Sequence, residues 1–368
     1  VSLPTVRVGV VGVGIMGTDH AERLAARVAG AGLVAVSDAD AARAGALAER
    51  LGVAAYDDPL DLVSAPEVDA VVIASPGFVH EEQVLACLAA GKPVLCEKPL
   101  TMDDDSALRL VEAEVALGRR LVSVGFMRRF DPEYAQARAA LVGGDHGRLL
   151  LLHNVHRNRS VPNAGFRSEM IVRDSLVHEV DSSRFLFGDE VVEVTVLSPT
   201  PTSHAAEGVL DPQLALFRMA GGGLVTTEVF VNSQVGYEVR FEAVAERGTL
   251  TAGLHTTGLL TTGVDGETGR WGGPVPGDYR VRFARAYDTE VQAWVAGIRT
   301  GTPAVGASTW DGYAATAVST AGMASLASGS AVAVELAERP PLYDPDRRSG
   351  GDLDLGPPTP QDAVDLTH

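Results

Sequence analysis

Three groups of residues in this 368-residue chain have types and spacings suited to chemistry. The first is Glu97-Lys98-Pro99, which follows the short apolar run Pro93–Cys96. Of the 30 Lys and Arg residues, only Lys92 and Lys98 are lysines. A GC-rich coding bias explains the arginine excess, and a lysine retained under such a bias stands where arginine will not serve. Lysine can shift its pKa and share a proton, whereas arginine stays charged. Beyond the C-terminal end of a parallel strand, Lys98 faces the crevice where open α/β sheets bind ligands. There it can hydrogen-bond an alcohol oxygen. The bland alternative is a surface lysine in a turn.

The second group is Asp174, His178 and Asp181, in the stretch RDSLVHEVD. Spacings of four and three put all three on one face of a helix. A carboxylate beside a histidine fixes its tautomer and raises its basicity, which suits removal of a hydroxyl proton while hydride leaves. An exposed helix face behind an aspartate N-cap has the same spacing and remains the alternative.

The third group is Gly12-Val13-Gly14-Ile15-Met16-Gly17, between a valine-rich strand and a helical pattern. Gly12 allows a tight turn, Gly14 lets backbone approach a pyrophosphate, and Gly17 lets helix and strand pack closely. The N–H groups of Gly14, Ile15, Met16 and Gly17 then open a helix toward the phosphates. Asp38 ends the next strand, about 20 residues on, where a carboxylate binds the adenosine ribose and repels a 2′-phosphate. The context predicts a dinucleotide site that favours NAD over NADP; Arg43, close by, can soften that preference.

Elements that position these groups are legible as rhythm. Thr5–Val11, Leu33–Ser37, Asp69–Ala74, Pro93–Cys96 and Leu121–Val124 read as buried strands. Helical patterns at Thr18–Val28, Asp40–Leu51, Glu81–Ala90 and Asp103–Leu117 alternate with them. This predicts a doubly wound parallel sheet over residues 1–125. After Gly125 the order changes. Helices are expected at Asp131–Leu141 and Ser175–Leu186, with a strand at Arg148–His156. Strands follow at Glu190–Leu197, Gln213–Met219, Gly223–Asn232, Glu238–Ala245 and Gly248–Thr251, and late helices at Ala284–Arg299 and Asp311–Ser328. Successive strands predict a second α/β domain, 126–339, with an open, mostly antiparallel sheet. The Pro-, Gly- and Asp-rich stretch 340–368 reads as a peripheral tail.

Composition narrows the function. A formal net charge of −18 argues against nucleic acid or an anionic membrane as partner. No apolar run approaches the ~18 residues of a membrane span, and Val1–Pro4 do not resemble a signal-peptide start. Two cysteines, Cys87 and Cys96, are too few for a disulfide framework, which points to the cytoplasm. Neither has an activating neighbour in sequence, and the histidines show no metal-ligand spacing, so no metal is expected.

In this order, GVGIMG at 12–17, SPGFVH at 75–80, EKP at 97–99 and DSLVH at 174–178 resemble the Gfo/Idh/MocA oxidoreductases. VGFMRRFDPEY at 124–134, HRNRSVP at 156–162, DSLVHEVD at 174–181, VNSQVGYE at 231–238 and WDGYAA at 310–315 are similar to its bacterial inositol 2-dehydrogenase branch. The resemblance, from about Val6 to Leu336, implies a Rossmann domain, NAD as cofactor, a polyol substrate and a homodimer or homotetramer. It implies Lys98, Asp174 and His178 as the catalytic set, with His178 as base, Asp174 orienting it and Lys98 anchoring the reacting hydroxyl. Met127, Arg128, His156, Asn158, Asp181 and Tyr237 match positions lining the polyol site. Ser75, Pro76, His80 and Glu97 match the cofactor side, and Pro99 a residue after a cis bond. Hydroxyl-reading side chains penalise a wrong epimer by about 1–3 kcal/mol for each buried polar group left unpaired.

The loop Asn163–Ser168 departs from the branch, with Phe166 where an aromatic hydroxyl is common, and Gly263–Pro276 matches poorly. The expected reaction is oxidation of myo-inositol to an inosose. Another inositol epimer, an amino-cyclitol precursor or an aldose stays open as substrate. A NAD-retaining glycoside hydrolase and a silent cofactor-binding regulator stay open as classes.

Overall fold

The structure is a computed structural model that describes residues 3–161, 165–253, 262–265, 268–271, 276–302 and 304–344. Strands β1 (Val6–Val11), β2 (Ala31–Ser37), β3 (Ala54–Tyr56), β4 (Ala70–Ile73), β5 (Val94–Cys96) and β6 (Val122–Val124) form one sheet in the order β3-β2-β1-β4-β5-β6. Every pairing in it is parallel. The strand order reverses at β1 and β4, which opens a crevice at their C-terminal ends. Helices α1 (Ile15–Ala26), α2 (Ala41–Leu51), α3 (Pro59–Ser64), α4 (His80–Ala89) and α5 (Asp104–Leu117) connect the strands. All four residues of β4 are buried, as a strand covered on both faces requires. Helix boundaries follow local chemistry. Asp103 accepts from the Ser106 amide to start α5, and Gly118 ends it in the left-handed region. The sequence reading did not separate β3 and α3, which are too short to show a period.

The second half opens with α6 (Pro132–Val142) and β7 (Leu149–Arg157). A short helix, α7 (Ser168–Met170), runs through a π-helical turn (Ile171–Leu176) into α8 (Val177–Phe187). Strands β8 (Val191–Leu197), β9 (Gln213–Met219), β10 (Leu224–Phe230), β11 (Glu238–Ala245) and β12 (Gly248–Ala252) follow. A hairpin, β13 (Thr262–Asp265) and β14 (Thr268–Trp271), precedes α9 (Tyr279–Arg282), α10 (Ala284–Thr300), α11 (Thr309–Ser328) and β15 (Val332–Ala333). The large sheet runs β12-β11-β7-β10-β9-β8-β15, antiparallel except for β7 against β10. Gly221-Gly222-Gly223 makes the β9–β10 turn, with Gly222 at φ 89°. Much of Gly263–Pro276 and the tail beyond Asp344 lie outside the described residues.

β9 alternates buried and exposed without a break. The buried side of the sheet is covered by α8 over β7 and by α11 over β8. On the other face Leu214, Leu216, Leu224, Leu151 and Leu197 are exposed side by side.

Packing ties the two halves together. Val291, Trp294 and Val295 of α10 complete the core around β1, β2 and α1. Glu114 of α5 collects the amides of Leu121 and Val122 (2.5 and 2.8 Å) and the hydroxyls of Thr309 and Tyr343 (2.6 and 2.9 Å). A segment beyond α11 is thereby pinned to the first half. Glu114→Ala leaves the buried amides of Leu121 and Val122 unpaired and should cost about 3 kcal/mol, measured by urea unfolding.

Candidate active site

The crevice begins with a cradle of absent side chains. A Cβ on Gly12 would sit 2.4 Å from the Ser75 amide nitrogen, and one on Gly17 would sit 1.7 Å from the Gly12 carbonyl oxygen. At Gly14 a Cβ would meet nothing within 4 Å. Gly14 caps α1 without any side-chain acceptor, so its first N–H groups face open space. Asp38 accepts from the amides of Val13 (2.7 Å) and Asp40 (2.8 Å), with Arg43 Nη1 at 3.4 Å. These residues fit a dinucleotide: room at the turn, donors for a pyrophosphate, and a carboxylate for the ribose. Ile15 and Phe78, 68% and 73% exposed, are apolar surface at the mouth.

The opposite lip is built by α4. Its first residue, His80, is buried and bridges two loops, with Nε2 2.7 Å from the Ser75 carbonyl and Nδ1 3.0 Å from that of Pro99. Burial pushes its pKa down. Pro76 caps the turn before it, and Ser75 Oγ is 2.6 Å from Gln83. The Lys98–Pro99 bond is cis.

Lys98 reaches across to the second half, where Nζ donates to the Asp174 backbone carbonyl (3.0 Å). Burial lowers its pKa, with Glu97 and Asp174 acting against that shift. His178 of α8 is 8% exposed, edge-on to Phe126 and to His156 (centroids 6.4 and 6.3 Å). Burial, then the charges of Lys98, Arg128 and His156, hold its pKa well below the usual value. His178 is therefore a neutral imidazole at pH 7.

Around it lies a polar floor. Arg128 donates to Glu179, and His156 donates through Nδ1 to Glu179 Oε2 (3.1 Å) and meets Asn158 Oδ1 through Nε2 (3.1 Å). Tyr237 stands edge-on to His156 at 5.6 Å. Lys98, His178, Arg128, His156, Asn158 and Tyr237 thus converge.

Four expected residues sit differently. The Asp174 carboxylate pairs with Arg173 (2.8 and 3.0 Å), and His178 Nδ1 has no partner among the described residues. The π-helical turn causes this. Its wider coil rotates Asp174 away from the face that a regular i, i+4 spacing assigns it. The Asp181 carboxylate turns to Arg129 (2.6 Å), because burial beside that guanidinium demands a pair. Met127 is buried in the core cluster. Glu97, expected on the cofactor side, is 7% exposed and accepts from His20 Nε2 (2.8 Å) and from the Lys98 amide (3.3 Å).

Sequence reasoning missed Glu179 and His20. Glu179 stands within DSLVHEVD without an assigned role, yet it is 1% exposed. Burial raises its pKa, but Arg128 and His156 outweigh that and hold it below the usual range. The one available signal was arginine and histidine, at 128 and 156, with no assigned counter-charge.

Comparison with known proteins gives the family. Residues 6–126 match the model of the oxidoreductase family's NAD-binding Rossmann fold, and residues 134–251 match the GFO/IDH/MocA C-terminal domain. The chain belongs to the GFO/IDH/MocA oxidoreductase family. It is 52% identical over 340 residues to an inositol 2-dehydrogenase of Mycolicibacterium smegmatis, covering 90% of this chain and 97% of that one. Inositol 2-dehydrogenase 4 of Saccharopolyspora erythraea is also 52% identical, covering 92% and 98%. Among solved structures, myo-inositol dehydrogenase from Lactobacillus casei in complex with NAD(H) and myo-inositol superposes with a TM-score of 0.85 at 34% identity, covering 92% and 100%.

Asp38→Ala should raise the NADP-to-NAD ratio of kcat/KM by about tenfold or more. Arg43, still paired with Asp40 at 3.3 Å, then faces a 2′-phosphate without the Asp38 carboxylate beside it. Paired kinetics with the two cofactors measure it.

Proposed function

We propose that this chain is a NAD-dependent dehydrogenase of a cyclic polyol, converting myo-inositol to its 2-keto product, an inosose. The observation that carries this reading is the convergence of Lys98 and a neutral, buried His178 on a hydroxyl-reading floor. It stands in a chain half identical to inositol 2-dehydrogenases over nine-tenths of its length.

When bound, NAD supplies the hydride acceptor. The N–H groups from Gly14 to Gly17 would hold its pyrophosphate, Asp38 one ribose, and the Ser75-Pro76-His80 lip the other. Lys98 donates to the reacting hydroxyl oxygen and stabilises negative charge as the proton leaves. The proton goes to His178, whose depressed pKa keeps it free to accept at neutral pH. We assign Asp174 to orient His178 through its unpartnered Nδ1, which requires its carboxylate to exchange Arg173 for the imidazole. Arg128, His156, Asn158 and Tyr237 read the remaining hydroxyls. Asp181 and Met127 support that floor from behind.

We place the enzyme in the cytoplasm, as its two buried free thiols suit a reducing compartment. We also infer a dimer or tetramer. Leu151, Leu197, Leu214, Leu216 and Leu224 form an exposed apolar face on the large sheet, of the kind that assembly covers. Light scattering should give a multiple of 38.4 kDa; a monomeric mass overturns this.

NADH formation with myo-, scyllo- and chiro-inositol, glucose and xylose tests the substrate, and strong turnover of myo-inositol is expected. The panel is broad because Phe166 lines a cavity of about 370 Å³ with Val161, His204 and Asn232. Silence on every inositol, with turnover of a sugar, would keep the chemistry and move the specificity. Lys98→Ala should abolish turnover and leave NAD binding intact. The sign for His178 follows from its lowered pKa: the base is protonated only below the ordinary histidine value of 6.5. The acid limb of kcat/KM should fall below that pH and disappear in His178→Ala.

A further inference from the structure

The motif Glu97-Lys98-Pro99 contains a carboxylate that the proton transfer does not use. Glu97 lies between the first helix and the lysine turn. One oxygen accepts from His20 Nε2 at 2.8 Å, and the other accepts from the Lys98 amide at 3.3 Å. The Glu97 amide donates to the Ile73 carbonyl at the end of β4. Space for the carboxylate exists because residue 125 is glycine: a Cβ there would lie 3.2 Å from Glu97 Oε2. His20 is fully buried, five residues into α1, with Tyr287 of α10 edge-on at 6.0 Å and Arg23 stacked over that tyrosine. Its Nδ1 has no partner among the described residues. A neutral ring protonated on Nε2 leaves only a lone pair unmet there, so the geometry favours His20 as donor and Glu97 as acceptor.

The pair therefore links two parts with different tasks. One end of α1 is the uncapped N-terminus that meets the dinucleotide. One turn further along the same helix, His20 grips the residue next to Lys98. We propose that His20 and Glu97 are positioning residues that fix Lys98 relative to the cofactor-binding helix, so that a shift of α1 is transmitted to the lysine. The proposal rests on the reading that Lys98 anchors the reacting hydroxyl. It requires no movement of Lys98 Nζ from its own partner, the Asp174 carbonyl, when the pair is intact.

Two variants of similar volume test it. His20→Phe keeps a ring and removes the donor. Glu97→Gln keeps the shape and removes the charge. Each should lower kcat by about 10²-fold, as expected when a reacting group is displaced by roughly 1 Å. The Kd for NAD, read by fluorescence, should stay within about threefold, because the pyrophosphate donors are untouched. The alkaline limb of the pH–rate profile separates positioning from simple damage. Glu97 acts to raise the Lys98 pKa, so its neutralisation should move that limb to lower pH. His20→Gln, which can still donate to Glu97, should recover most of kcat. Wild-type kcat and an unmoved limb in His20→Phe and Glu97→Gln, with Lys98→Ala inactive, overturn the proposal and leave the role of Lys98 standing. Turnover surviving in Lys98→Ala instead overturns that role and the proposal with it. A tenfold or greater loss of NAD affinity in His20→Phe would make His20 part of the cofactor site and also overturns the proposal.

Discussion

Buried charge must be matched, and α8 buries a great deal of it. Glu179, Asp181 and Arg184 all lie within one stretch of that helix and none is more than 5% exposed. An unmatched ion in such a place costs several kcal/mol, so each fixes a partner on another element. Glu179 takes Arg128, Asp181 takes Arg129, and Arg184 takes Asp311 and Glu190. The rotation of α8, and with it the direction of His178, follows from these pairs. Arg128 and Arg129 are adjacent in the turn after β6, so the first sheet dictates where the base of the second half points.

Electrostatics then divides the roles. Arg128, which helps to hold Glu179 ionised, adds to the burial that pushes His178 toward its neutral form. Two neighbours on one helix thereby acquire different charge states, one as a fixed anion and one as a neutral proton acceptor. Burial of Lys98 acts in the same sense, weakening its hold on its proton and making it a better partner for a developing alkoxide.

Much of this was legible from the residues because the physics was local. A glycine run between a valine-rich strand and a helix needs no distant partner to be interpreted, and Asp38 is tied to it by a fixed crossover length. The strand alternation of β9 is likewise a property of seven consecutive residues. What stayed hidden was non-local or irregular. The face of Asp174 depends on a π-helical turn, and a 3.6-residue period has no mark for one. Glu179 looks like a solvent residue until Arg128 and His156 are beside it. His20 has the same character: only the fold brings it to Glu97, 77 positions away. The packing of α10 into the first core joins residues more than 250 positions apart.

That last feature bears on how the protein is made. The first sheet leaves the ribosome early, as N-terminal units generally do. Yet Trp294 and its neighbours, which seal the β1–β2 side, and Thr309 and Tyr343, which satisfy Glu114, are made long after it. The nascent Rossmann half therefore waits with an apolar flank uncovered and a buried carboxylate half satisfied. Its completion waits for α10, α11 and Tyr343. A chain cut before α10 thus keeps every strand of the first sheet but not the cover that seals its β1–β2 side.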